Sequence, residues 1–106
     1  MRRIDLTDYE VEVLREDGKK IEPYFVKDSI ESMLYHQDLK LGYKQLFEND
    51  RVAQKIRNAN GFVLLEESEY GCVKQAFEYL TGYTKHDVEL VRRVIEAPEV
   101  TVKEGE

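Results

Sequence analysis

The stretch from Tyr9 to Val26 constrains this chain most. Tyr9-Glu10-Val11-Glu12-Val13 alternates apolar and acidic residues, the period of a strand with one face buried and one wet. Arg15-Glu16-Asp17-Gly18-Lys19 follows, and Gly18 can take the left-handed conformation that closes a type I turn with a bulge. Ile21 to Val26 then returns as a second strand. A bulge at Gly18 sets Arg15 against Lys19. It predicts Val13 opposite Ile21, Val11 opposite Pro23 and Tyr9 opposite Phe25, with the apolar residues on one face. Pro23 has no N–H to give and belongs at a non-bonded or edge site.

After the hairpin the apolar period becomes helical. Asp28 is placed to cap a short helix, with Glu31 as its box partner and Ile30, Met33 and Leu34 as its stripe. The helix ends near His36, and residues 37–42 connect it to a long helix over 43–58. There Leu46, Phe47, Ala53 and Ile56 share one face, with Tyr43 and Val52 at its margin. Asn60-Gly61 stops it. Phe62-Val63-Leu64-Leu65 reads as a short buried strand, or as the first turn of a helix. Residues 66–80 form a second long helix with Tyr70, Val73, Phe77 and Leu80 in its stripe. Its early acids suit a helix N-terminus, and Gly71 is a mild cost or a close packing point. Gly82 ends it. Thr84-x-x-Asp87 caps a last helix over 85–97, with Val88, Val91 and Ile95 as its stripe and Leu90 and Val94 widening it. Pro98 stops this helix, and 99–103 alternates again.

This order predicts an α+β fold, a small antiparallel sheet built on an N-terminal β-hairpin and packed with about four α-helices. The 106 residues form a single domain, 1–106. Within it, 1–7 is an N-terminal arm and 99–106 a C-terminal strand or flexible tail. The expected core contains Phe47, Ile56, Phe62, Leu64, Val73, Phe77, Val91 and Ile95.

Charge narrows the function. Sixteen Lys+Arg stand against 22 Asp+Glu, for a formal net charge of −6. A protein that grips nucleic acid through phosphates needs a basic face, and the basic residues here come in pairs interrupted by acids. No apolar run is long enough to span a membrane, and the Met1-Arg2-Arg3 start is not followed by the apolar stretch of a secretory signal. The expected setting is the cytoplasm of a host cell, or a virion. Three Asn, four Gln and one Cys against abundant Glu, Lys and Arg is the bias of a thermophilic source.

Chemistry-bearing residues are sparse. One cysteine excludes an internal disulfide framework and a cysteine-based zinc site. Cys72 follows an acidic run that disfavours a thiolate, and reads as a small core residue. His86 reads as a surface residue in a first helical turn, and His36 as a favourable charge at a helix C-terminus. No phosphate loop, Ser-His-Asp, H-E-x-x-H or CxxC pattern occurs. The expectation is no enzyme, no metal and no cofactor. The seven tyrosines exceed what one core stripe needs, and tyrosine suits interfaces because its ring can be buried while its hydroxyl stays wet. Tyr79 and Tyr83, with Arg92 and Arg93, form the candidate protein interface.

Three stretches carry a resemblance: Ile4-Asp5-Leu6-Thr7-Asp8-Tyr9, Val26-Lys27-Asp28-Ser29-Ile30, and Asp87 to Pro98. They are similar to small uncharacterised proteins encoded among the structural genes of tailed bacteriophages and prophages. The resemblance implies a role in virion assembly or as a minor structural component, and brings no catalytic residues. The expected function is therefore a non-enzymatic assembly or interaction protein that binds a protein partner or itself as a homo-oligomer. The alternative is a small acidic inhibitor that covers a basic nucleic-acid-binding surface, which a clustered acidic face would favour. An enzyme subunit would need a pocket gathering His36 or His86 with carboxylates.

Overall fold

The computed structural model describes residues 1–101 and shows the α+β fold, with strands concentrated in the N-terminal quarter. In chain order the elements are β1 (Arg2–Asp5), β2 (Tyr9–Arg15), β3 (Gly18–Tyr24), α1 (Val26–Leu34), α2 (Tyr43–Asn58), β4 (Phe62–Leu65), α3 (Glu67–Tyr79) and α4 (Val88–Ile95). Short 3-10 turns at Gln37–Leu39 and Lys85–Asp87 precede α2 and α4.

The strands form two ribbons rather than one sheet. Residues 2–5, expected as an arm, are a core strand: β1 pairs antiparallel with β4, Ile4 opposite Val63 and Arg2 opposite Leu65. Ile4 and Leu6 are both buried, so alternation at i, i+2 drives this segment inward. The chain beyond α4 lies along the other edge of β1, where Arg3 donates to the Pro98 carbonyl and Arg2 bridges Glu99. The expected strand over 99–103 is thus a single bridge within the described residues. Residues 102–106 lie outside them.

β2 and β3 form the expected hairpin in a different register. Arg15 faces Gly18, Val13 faces Lys20, Val11 faces Glu22 and Tyr9 faces Tyr24. The loop is the two residues Glu16 and Asp17, and no bulge intervenes. Gly18 does have positive φ, +111°, but as the first residue of β3. One residue of slip sends a strand's side chains to the opposite face. Ile21 therefore lies beside Glu12 and Leu14 on the outer face, and Leu14 and Ile21 are 77% and 62% exposed.

The helices pack over one another and against the β1–β4 ribbon. α1 begins at Val26, two residues before the expected cap. Its first N–H is held by Asp8 Oδ1 at 2.9 Å, a cap supplied from across the fold. Asp28 instead pairs with Arg57. α2 spans the expected residues but is rotated. Its inward stripe is Asn49, Val52, Ala53 and Ile56, and Phe47 is exposed. Asn49 tolerates burial because Nδ2 donates to the Leu34 carbonyl at 2.9 Å and Oδ1 accepts from Gln45 at 2.8 Å. In β4, Val63 and Leu65 face inward. Phe62 lies outside beneath the Arg3 guanidinium, 4.5 Å from the ring centre, and Leu64 is half-buried.

α3 carries its buried stripe where expected, on Tyr70, Val73 and Phe77, and Glu66 and Glu69 form a capping box. Gly71 is exposed, and a Cβ there would meet nothing within 4 Å, so it is not a packing point. Gly71→Ala should stabilise the protein by roughly 0.5–1 kcal/mol, since alanine loses less entropy in a helix interior. A thermal melt checks this. A gain of several degrees is expected for a domain of this size.

Candidate interaction surface

α4 places five apolar residues in eight positions, Val88, Leu90, Val91, Val94 and Ile95, more than one face of a surface helix requires. Leu90 and Val94 are buried, with Ala97 just beyond the helix on the same side, and they pack onto the core. Val88, Val91 and Ile95, spaced i, i+3 and i+7, form a second stripe on the outside. Val88 is 51% and Ile95 38% exposed, and Val91 is half-buried. Ile95, expected in the core, lies on the outside, whereas Val91 is half-buried and still packs against the core edge. The inner stripe occupies the core-facing side, and the outer one is left facing solvent.

The outer stripe floors a shallow groove of about 350 Å³, walled by Tyr83 and Arg92. Of the four residues singled out in the sequence, these two come together. Tyr83 stacks on Phe77, with ring centres 6.3 Å apart, and its hydroxyl donates to the Phe77 carbonyl at 2.7 Å. It seals the core edge on one side and presents its ring to the groove on the other. The Arg92 guanidinium is exposed, 3.8 Å from Glu89 and 3.9 Å from Glu96.

The other two residues lie elsewhere. Tyr79 is exposed on α3 and borders a separate cleft with Leu41, Gln45 and Cys72. Arg93 points inward, with only 15% of its side chain exposed. It donates to the Thr7 carbonyl at 2.6 Å and to Glu89 at 2.7 Å, and stacks over Tyr9 at 5.1 Å. It ties the β1–β2 connection to α4. Cys72 is buried, beside Gln45 and the Ser68 carbonyl, and burial pushes its thiol up.

The hairpin is latched to the turn before α4. Tyr9 and Tyr24 stack face to face at 4.6 Å. The Tyr9 hydroxyl donates to the His86 carbonyl at 2.8 Å, and the Tyr24 hydroxyl donates to Asp87. Asp87 also accepts the Thr84 N–H at 2.8 Å, completing the capping box expected from Thr84-x-x-Asp87. Burial by itself raises the Asp87 carboxyl. The hydrogen bonds from Thr84 and Tyr24 outweigh it, and the group sits below its usual value. Burial, then the donation to Asp87, pushes the Tyr24 phenol up.

A carboxyl lowered in the folded state contributes stability above its unfolded pKa, and this is lost as pH falls through the folded value. Asp5, held down chiefly by Thr7, has the same sign. The melting temperature should be flat from neutrality to about pH 5 and fall below about pH 4. Asp87→Asn should flatten that fall. A melting temperature that rises on acidification would contradict the latch.

A second groove, about 490 Å³, separates β2 from α4 and gathers His86 with Glu10, Glu12 and Glu89. This is the grouping an enzyme subunit was expected to need, although no hydrogen bond among the described residues joins that imidazole to a carboxylate. Charges on the hairpin are interspersed and paired, Arg15 with Glu22, Lys19 with Glu12 and Lys20 with Asp17. An inhibitor built on an acidic face would cluster them. No helix among the described residues is long and apolar enough to cross a membrane. Comparison with protein-family models, with curated proteins and with solved structures finds no match to this chain.

The exposed apolar residues that sequence reasoning missed include Val88 and Ile95 on α4, Leu14 and Ile21 on the hairpin, and Tyr43 and Phe47 on α2. For α4 a signal was present. Apolar residues at five of eight positions supply two stripes, and one core face can take only one.

Proposed function

We propose that this chain is a non-enzymatic interaction protein that binds its partner through the outer face of α4. In line with the resemblance of its sequence, its setting is the assembly of a phage or prophage particle. The single observation that carries the binding reading is the second apolar stripe, exposed Val88 and Ile95 with half-buried Val91 between them, along a groove walled by Tyr83 and Arg92. A contiguous apolar patch rimmed by polar residues is the kind of surface that protein-binding sites use, whereas apolar residues exposed singly are ordinary. The residue types also fit, since tyrosine and arginine are enriched in interface cores. The paired charges of the hairpin favour this reading over an acidic inhibitor.

Affinity capture from the source cells tests the proposal, with the wild type and Val88→Glu/Ile95→Glu side by side. Both substituted residues are exposed, so the variant should fold with a melting temperature within about 4 °C of the wild type. Proteins retained by the wild type and lost by the variant are the expected result. Identical retention by both would contradict the proposal. The phage setting is tested by the flanking genes. Capsid, portal or tail genes are expected, and a purely metabolic operon would contradict it.

A further inference from the structure

We propose that the outer face of α4 docks against the same face of a second copy of this chain, the two helices running antiparallel about a two-fold axis at Val91. This rests on the reading that the face binds protein, and names the partner. What carries it is the charge pattern beside the apolar stripe. Lys85, from the 3-10 turn before α4, lines one groove with Glu89 and Arg92 beside Val88, and Arg92 and Glu96 border the stripe at Val91 and Ile95, so basic and acidic residues alternate along it. A two-fold axis between antiparallel helices brings like flank to like flank. With Val91 at the axis, Val91 meets its own copy and Val88 meets Ile95 of the second copy. Arg92 then meets the second copy's Glu89, and Lys85 its Glu96. Each apolar residue finds an apolar residue and each cation an acid. A parallel two-fold pairing would instead turn this flank toward the opposite flank of the second copy, and these four pairs would be lost.

Within one copy Arg92 is loosely held. Arg92 stands 3.8 and 3.9 Å from its two acids, at the limit of ion pairing. Glu89 Oε2 accepts from the Arg93 guanidinium at 2.7 Å, and its Oε1 is turned toward Arg92. An eight-residue helix is about 12 Å long, so this contact buries less than the ~800 Å² per partner of a standard stable interface. The dimer is accordingly a dissociable one that forms with rising concentration.

Sedimentation from micromolar to several hundred micromolar should show the mass climbing from 12.5 kDa toward twice that value. Val91→Cys should form a disulfide-linked dimer under mild oxidation, because the axis places the two copies of that residue together. Phe47→Cys, exposed on α2, should not, and the native Cys72 is buried. Lys85→Glu and Glu96→Lys should each weaken association by about tenfold, since each turns two attractive contacts repulsive. An equimolar mixture of the two should restore it, because in the mixed dimer both contacts are again attractive.

A chain that stays monomeric throughout the range overturns the inference. So does a dimer linked through Phe47→Cys in preference to Val91→Cys, or a mixture that fails to restore association. None of these results touches capture of a different protein by the same face. That is decided by the Val88→Glu/Ile95→Glu comparison.

Discussion

Phe77→Ala should lower the stability of this protein by roughly 3–5 kcal/mol, the cost of truncating a fully enclosed aromatic side chain. Phe77 is 3% exposed on the inner face of α3. Its ring supports Tyr83, whose hydroxyl returns to the Phe77 carbonyl, so truncation leaves a void and an unsupported ring. A domain of this size holds only about 5–15 kcal/mol in total, so the loss takes a large share. Urea unfolding measures it. The midpoint should fall sharply while the slope with denaturant stays constant. An unchanged midpoint would place the ring outside the core.

Ile4→Ala should cost about 2–5 kcal/mol. A residue in a flexible arm would cost almost nothing, so this substitution separates the two views of the N-terminus. Ile4 is wholly buried in β1 opposite Val63. Around it, the Arg2 guanidinium donates to the Ala97 carbonyl at 3.0 Å and Leu6 donates to the Gly61 carbonyl at 2.8 Å. The strand therefore joins β4 to the end of α4. Hydrogen exchange gives an independent check. The Ile4 amide should exchange as slowly as those of α3, and rapid exchange would mean a frayed segment.

Element types were legible in this sequence because period and punctuation agreed. The hairpin, α2, α3 and α4 follow from apolar spacing bounded by Gly18, Gly61, Gly82 and Pro98. Facing was less legible, for different reasons in different elements. In β4, four consecutive apolar residues allow either alternation, and only pairing with β1 selects Val63 and Leu65. In α2 the true stripe has Asn49 at its start. Its burial depends on the Leu34 carbonyl of another helix, which no local pattern reveals. In the hairpin, Asp-Gly is compatible with both a two-residue loop and a bulged one, and the difference reversed the partners of Ile21. The role of β1 was hidden by its shortness, although Ile4 and Leu6 already alternate.

The candidate surface was half legible. Tyr83 and Arg92 were readable from residue type, and the structure places both on one groove. Arg93 was paired with Arg92 by adjacency, but neighbours on a helix point about 100° apart, and this one turns inward to clamp Thr7. Val91 and Ile95 were read as core, and Val88 as part of their stripe, because apolar spacing marks a stripe without saying which stripe meets the protein interior.

α4 thus carries two apolar faces, Leu90 and Val94 packed into the core and Val88 and Ile95 turned outward with half-buried Val91 beside them, and docking through the outer face is our proposal. The most direct measurement is affinity capture by the folded Val88→Glu/Ile95→Glu variant beside the wild type. The account predicts that the wild type retains a partner, whether another protein or a further copy of itself, and that the variant does not. A variant that captures the same partner as strongly as the wild type would contradict it.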